Sequence, residues 1–149
     1  MTPELLESSY QDAAVPVSVL LLTNPDNPTC RIMAEEDLVG AVEWARSRGL
    51  YIVVNEIYAL SVHGDRGFTP VGSLIGDVGM DVHEMWGFSK DFAMSGLRCG
   101  VLTSKNDDLL AAVGELAYWS VVSGDTQHLL AELLADEAWI PTCLLELQA

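Results

Sequence analysis

Apolar residues along the chain fall into short runs that end in polar, turn-forming residues. Two such runs, residues 17–22 and 50–54, are long enough for one strand each and too short for a helix. A third segment, residues 82–88, leads directly into Lys90, and a fourth covers residues 99–103. Near-continuous apolar strands are typical of a parallel sheet that is buried on both faces. The pattern therefore predicts four strands in an α/β domain.

Between the strands, apolar positions repeat with the period of a helix. The clearest case is residues 35–48, where acids fill the first turn, arginines lie in the last, and Gly49 follows as a stop signal. Residues 4–13, 106–120 and 126–135 are also predicted helices, and residues 64–79 a Gly-rich connection. A strand, a helix and a strand in succession indicate a parallel βαβ unit. The loops after these strands are then expected at the carboxyl edge of the sheet, where open α/β sheets bind ligands.

The charge of the chain limits its partners. Its 149 residues include seven basic and 22 acidic side chains, which give a formal net charge of −15. Such a surface repels nucleic acid and anionic membranes, so neither is an expected partner. The longest apolar stretch, residues 15–22, is well short of the ~20 residues that span a bilayer. No cationic segment followed by an apolar one marks a signal peptide, so we expect a cytoplasmic protein.

Cysteine and histidine offer no pattern that indicates a metal site or a disulfide framework. The chain has three of each, widely spaced: Cys30, Cys99, Cys143, His63, His83 and His128. Because a free cysteine behaves as a small hydrophobic residue, we expect the thiols to be buried.

Three polar blocks follow predicted strands and supply the candidate chemistry. The first is Asn-Pro-Asp-Asn-Pro-Thr at residues 24–29, the second Asn-Glu-Ile-Tyr at residues 55–58, and the third Ser-Lys-Asp at residues 89–91, followed by Arg98. A lysine amine can form a Schiff base, and a guanidinium can clamp a phosphate through two parallel hydrogen bonds. Each block alone is also compatible with an ordinary turn or a solvated surface charge. Their order and spacing together favour a functional site.

Together the blocks resemble the cofactor site of class I/II aminotransferases, which are pyridoxal 5'-phosphate (PLP) enzymes of fold type I. The Ser-Lys-Asp, Met-Ser-Gly-Leu-Arg and Asn-Glu-Ile-Tyr-Ala-Leu-Ser-Val stretches are most similar to 1-aminocyclopropane-1-carboxylate (ACC) synthases and their animal synthase-like relatives. The resemblance runs over residues 4–140 and implies a large-domain fragment. That fragment has a mostly parallel sheet with flanking helices and an antiparallel strand at residues 99–103. The resemblance further implies that residues 1–149 are part of the PLP-binding large domain, without the small carboxyl-terminal domain, and that full-length members form homodimers.

The resemblance also implies a role for individual residues. Lys90 would form the covalent bond to PLP and then act as general base on an amino-acid substrate. Ser89 and Arg98 would bind the cofactor phosphate. Asn27 and Tyr58 would donate hydrogen bonds to its phenolic oxygen.

The chain departs from the family pattern at three positions. Asn55 stands where the family has an aspartate whose carboxylate keeps the pyridine nitrogen protonated. An amide can form a hydrogen bond to that nitrogen but cannot hold a proton there by charge. Cys30 replaces a glycine, and Gly87 replaces a serine that many members carry. Since glycine adopts left-handed backbone most readily, a cysteine at position 30 is expected to distort its loop.

Two classes of function follow. The first is a PLP-dependent segment acting on α-amino acids, by transamination or by ACC synthase-like elimination, and expected to be inactive as an isolated chain. The second is a non-catalytic remnant that keeps the fold and binds PLP or a partner. A third alternative, a nucleotide-binding α/β domain, is not supported, because the chain contains neither a GxGxxG nor a P-loop sequence.

Overall fold

The computed structural model describes residues 1–63 and 67–148, the last of these by its backbone only. The helices are α1 (Pro3–Gln11), α2 (Glu35–Ser47), α3 (Val71–Ile75), α4 (Phe88–Asp91), α5 (Asp107–Ala117), α6 (Gly124–Ala135) and α7 (Trp139–Gln148). The strands are β1 (Val19–Thr23), β2 (Tyr51–Asn55), β3 (Val82–Gly87) and β4 (Gly100–Ser104), and a 3₁₀ turn covers Ser95–Leu97.

The strands form one sheet in which spatial order follows chain order, β1-β2-β3-β4. β1, β2 and β3 are parallel, and β4 pairs with β3 in the antiparallel sense. The register sets Asn55 beside Thr23 on one side and beside Met85 on the other. The carboxyl ends of β1 and β2 therefore lie level at one edge of the sheet, and β3 extends two residues further at the same edge.

Helix α2 covers the first half of the sheet. Its first turn carries Glu35, Glu36 and Asp37, whose negative charges stabilise the amino-terminal end of a helix. The helix ends before Gly49, whose φ of 67° is a left-handed conformation that glycine adopts at low energy. The buried face of α2 packs with strand residues in the main core: Leu22, Leu38, Ala41, Val42, Ala45, Leu50, Ile52, Val54, Val71 and Val82.

A second, smaller cluster lies around the lysine-bearing helix α4. Its buried members are Phe88 and Phe92, which flank Lys90, and Leu130 from α6. Partly buried side chains pack against these three, and they include Trp86 from β3 and Trp139 from α7. We call this group the lysine cluster.

Most predicted elements are present, with four differences. The predicted connection 64–79 contains helix α3, while its residues 64–66 lie outside the described part of the chain. Residues 88–91 form the short helix α4, and α7 occupies a segment for which no helix was predicted. The strands are not all buried on both faces, because Val19 is 48% exposed and Leu21 is 61% exposed on the open side of β1.

Among the described residues, no helix is both long and apolar enough to cross a bilayer.

Candidate functional site

The three polar blocks follow the three parallel strands at the same edge of the sheet. Residues 24–29 follow β1, residues 55–58 lie at the end of β2, and α4 continues directly from β3. Main-chain hydrogen bonds extend the sheet by one step past the strands: the Asn24 amide donates to the Asn55 carbonyl, and the Glu56 amide to the Met85 carbonyl. These bonds hold the loops at fixed positions relative to one another.

Asn27, Tyr58 and Lys90 meet at this edge. The Asn27 Nδ2 donates to the Tyr58 hydroxyl over 3.2 Å. The Lys90 Nζ lies 5.9 Å from the centre of the Tyr58 ring, within reach of a cation–π interaction. Three residues that are far apart in sequence thus bring an amide donor, a phenol and an amine together.

The predicted phosphate ligands lie on the loop that contains Lys90. Ser89 is half-buried in α4, next to the lysine. Arg98 follows the 3₁₀ turn with a φ of 52°, and its Nη1 donates to the Ser95 carbonyl over 3.0 Å. Within residues 1–63 and 67–148, no hydrogen bond joins the Arg98 side chain to Asn27, Tyr58 or Lys90. The structure therefore brings the Lys90 amine, the Tyr58 hydroxyl and the Asn27 amide together. It does not connect the Arg98 guanidinium to them.

Asn55 is the last residue of β2. Its Oδ1 accepts a hydrogen bond from the Ile57 amide over 3.2 Å, which turns the chain toward Tyr58. An asparagine at a strand end commonly makes such a local turn. The Nδ2 of the same amide can only donate, so it can face an acceptor such as an unprotonated ring nitrogen.

Cys30 adopts the left-handed conformation expected of the family's glycine, with a φ of 55°. The prediction that the cysteines are buried is wrong at this position, because Cys30 is exposed; Cys99 and Cys143 are partly exposed. A positive φ at a side-chain-bearing residue stores strain, and the turn that requires it also places Asn27 near Tyr58.

A cleft of about 360 Å³ opens beside the Asn27–Tyr58 pair. Its volume is within the range of small-molecule sites. Its wall contains Asn27 and Tyr58 but not Lys90, Ser89, Arg98 or Asn55: the lining residues are Pro25, Asp26, Asn27, Cys30, Ile32, Tyr58, Ser61, Val62 and His63.

Two buried carboxyl groups near the site were not predicted. Asp91 follows Lys90 and accepts three hydrogen bonds. Glu56 follows Asn55, and burial raises its pKa to about 7, with the charge of Glu84 adding to that effect and a hydrogen bond from the Val71 amide opposing it. An acid followed directly by an apolar residue, as in Ser-Lys-Asp-Phe and Asn-Glu-Ile, was the available signal for both.

Comparison with known proteins identifies the family of the chain. The sequence model of the family described as aminotransferase class I and II matches residues 1–147. The chain belongs to this family. ACC synthase 6 of Arabidopsis thaliana is 33% identical over 147 residues, which cover 94% of this chain and 30% of that protein. The human ACC synthase-like protein 1 is 38% identical over 94% of this chain and 29% of its own length, and that of Takifugu rubripes 41% identical over 83% and 20%.

Solved structures give the same fold. An aspartate aminotransferase from Thermus thermophilus with maleate has a TM-score of 0.81 at 22% identity, covering 99% of this chain and 37% of that one. A PLP-bound C-S lyase from Staphylococcus hominis has a TM-score of 0.69 at 18% identity, covering 78% and 29%. The predicted class, an α/β fold with a mostly parallel sheet and flanking helices, is confirmed, as is the resemblance to the ACC synthase-like subgroup. The chain spans about a third or less of the length of these relatives.

Proposed function

We propose that this chain is the PLP-binding segment of a family enzyme that acts on α-amino acids, by transamination or by an ACC synthase-like elimination. The observation that carries the proposal is the meeting of Asn27, Tyr58 and Lys90. An amide donates to a phenol at 3.2 Å, and an amine lies 5.9 Å from the same phenol ring. Residues 1–149 then form part of a large PLP-binding domain, and we propose a cytoplasmic homodimer as the working form of the whole protein.

The residues present fit the cofactor chemically. Lys90 offers the amine that a pyridoxal aldehyde needs, and Asn27 and Tyr58 offer two donors to one acceptor oxygen beside it. Ser89 and Arg98 offer a hydroxyl and a cation to a phosphate. When bound, PLP supplies an electron sink for a carbanion next to the substrate amino group.

Each residue then has a defined task. Lys90 would hold the cofactor through its amine, and the free amine would take the proton from the substrate Cα. Asn27 and Tyr58 would orient the ring by donating to its phenolic oxygen. Asn55 would donate to the ring nitrogen from its Nδ2, since its Oδ1 is bonded to the Ile57 amide.

A non-catalytic PLP-fold protein is the second candidate, and Asn55 favours it. A neutral amide stabilises a protonated ring nitrogen far less than a carboxylate does, and each pKa unit lost corresponds to ~1.4 kcal/mol. Such a protein would hold PLP or a partner without turning over an amino acid.

Covalent labelling tests the cofactor site. Lysines occur at positions 90 and 105 only, so the assay has a built-in reference amine. After incubation with PLP and reduction with borohydride, peptide mass spectrometry is expected to find the pyridoxyl group on Lys90. Lys105→Ala should keep the label and Lys90→Ala should lose it. Label divided between Lys105 and the amino terminus would remove the basis for the proposal.

Restoring the carboxylate separates the two candidates. The test uses a chimera in which residues 1–149 replace the matching segment of a full-length ACC synthase-like relative. Asn55→Asp is expected to speed deuterium wash-in at Cα of amino acids by about tenfold or more, because that step draws on the electron sink. An active chimera with an unchanged rate would mean that Asn55 does not face the ring nitrogen. If the Asn55→Asp chimera binds PLP and shows no exchange, the non-catalytic candidate stands.

A further inference from the structure

Asp91 is a buried carboxylate to which the proposed function gives no task. It is 2% exposed and directly follows Lys90 in α4. Its Oδ2 accepts from the Leu60 amide at 3.0 Å and from the Trp86 Nε1 at 2.7 Å. Its Oδ1 accepts from the Ser61 hydroxyl at 2.6 Å. Burying a carboxylate is costly unless it is hydrogen-bonded, and here each of its two oxygens accepts at least one hydrogen bond.

The donors come from two separate parts of the site. Leu60 and Ser61 belong to the loop that carries Tyr58, and Trp86 lies on β3 in the lysine cluster. Asp91 therefore connects the lysine helix to the Tyr58 loop and to the strand. Besides these bonds, α4 is held by the burial of Phe88 in the lysine cluster and by a main-chain bond from the Phe88 amide to the Cys99 carbonyl. The helix has four residues and begins after Gly87, a residue with no side chain to cap it.

We propose that Asp91 is a positioning residue that fixes the Lys90 amine relative to the Tyr58 phenol. Its hydrogen bonds set the distance between the turn that holds the amine and the loop that holds the phenol. Its value for catalysis rests on the proposed function, whereas its effect on the placement of Lys90 is a property of the chain itself.

Two substitutions separate geometry from charge. In Asp91→Asn, the remaining oxygen can accept from Leu60 and Trp86, and the new NH₂ can donate to the Ser61 hydroxyl, which reverses its role. In Asp91→Ala, all three bonds are lost. Asp81→Ala is the control, because it breaks the 2.7 Å ion pair with Arg46 at the opposite end of β3.

The first measurement needs no cofactor. Acetic anhydride labels the amines of the folded 149-residue chain, and mass spectrometry gives the rate at Lys90 relative to Lys105 as a function of pH. Asp91→Ala is expected to change this ratio by about tenfold or more, because one net hydrogen bond corresponds to a factor of up to about ten and all three are lost. Asp91→Asn should restore it, and Asp81→Ala should leave it unchanged. Thermal melting of each variant reports any general loss of stability.

The second measurement is the share of borohydride-fixed PLP found on Lys90, which should fall in Asp91→Ala and recover in Asp91→Asn. An unchanged acylation ratio in Asp91→Ala overturns the proposal. So does an equal change in Asp91→Asn and Asp91→Ala, since charge and not geometry would then be responsible, or a matching change in Asp81→Ala. If the unchanged chain never takes PLP at Lys90, the proposed function fails while the acylation ratio still decides the role of Asp91.

Discussion

The main core and the lysine cluster stabilise the fold in different ways. The main core consists of ten buried aliphatic residues that join α2 and α3 to the first three strands. The lysine cluster has three buried members, and aromatic rings provide much of its contact, with Phe92 and Trp139 centred 4.9 Å apart. The main core is an aliphatic interior between strands and helices. The lysine cluster is a small aromatic group that packs around the helix carrying Lys90.

The difference indicates that fold and site are supported separately. The free energy gained by burying apolar side chains scales with the apolar area removed from water. The main core is the larger of the two clusters, so it supplies most of the stability. The lysine cluster receives residues from α6 and α7, which lie well after the site in sequence. We expect damage to the main core to unfold the chain, and damage to the lysine cluster to displace Lys90 first.

The largest effect is expected from Ile52→Ala. Ile52 is fully buried in the main core, so its truncation should lower the free energy of unfolding by about 2–5 kcal/mol. Urea unfolding measures the loss. Tyr51→Ala on the same strand is the control, because Tyr51 is 51% exposed. A similar loss in both variants would contradict the assignment of the main core.

A smaller loss of stability, with a clear effect on the site, is expected from Trp139→Ala. Removing the ring that packs on Phe92 should cost about 1–3 kcal/mol, because Trp139 is only partly buried, and should redistribute the PLP label from Lys90 toward Lys105. Trp119→Ala is the matched control, since Trp119 is 83% exposed. Equal labelling in the two variants would show that the lysine cluster does not support the site.

Glu56→Gln should produce a pH-dependent effect of similar or smaller size. The pKa of Glu56 is raised to about 7 in the fold, so the wild type loses stability as pH rises from the ordinary glutamate range through 7. Glutamine is neutral and can still accept from the Val71 amide. The variant should therefore match the wild type near pH 4 and exceed it by about 1–3 kcal/mol near pH 8. Thermal melting of both proteins between pH 4 and pH 8 tests this prediction, and Glu43→Gln at an exposed position is the control. A difference between Glu56→Gln and the wild type that is the same at all pH values would contradict it.

The smallest effect is expected from Glu7→Gln on the surface. Hydrogen bonds from Gln11, Trp44 and Arg48 hold the pKa of Glu7 at about 2, and those from Trp44 and Arg48 connect α1 to the carboxyl-terminal end of α2. Its contribution is present above the ordinary glutamate pKa and is lost as pH falls through about 2. Melting temperatures should show a slight loss near neutral pH that shrinks in acid. A loss of stability in Glu7→Gln as large as that in Ile52→Ala would contradict the conclusion that the main core supplies most of the stability.

Local pattern predicted the main core well. The apolar runs before residues 24 and 55 and the periodicity of α2 are properties of adjacent residues, so β1, β2 and α2 lie where predicted within a few residues. Helix α3 was missed because distant groups hold it: the carboxylates of Glu56 and Glu84 accept from the Val71 and Gly72 amides. No element was predicted over α7; its Pro141 lies in the first turn, where a proline lacks only a bond that the helix does not make.

The site was also partly predictable from patterns among adjacent residues. Lys90, Tyr58 and Asn27 were found from short blocks whose strands end at one edge, and their roles stay predictions until labelling is done. The antiparallel β4 came from the resemblance and is confirmed by its pairing with β3. The bonds from Leu60 and Ser61 to Asp91 could not be predicted, because these residues are 31 and 30 positions away in sequence and lie beside it only in the folded sheet.

Strand order has a consequence for the speed of folding. Val19 pairs with Tyr51 and Ile52 with Val82 across long crossovers, whereas Gly87 pairs with Gly100 across one short loop. Closing a short loop costs less chain entropy, and local antiparallel pairs form faster than distant parallel ones. The loop closed by β3 and β4 is the one that carries Lys90 and Arg98. We therefore expect the amine and the guanidinium to lie on an early-forming hairpin, and the phenol and the amide from the slower parallel strands to reach the amine afterwards.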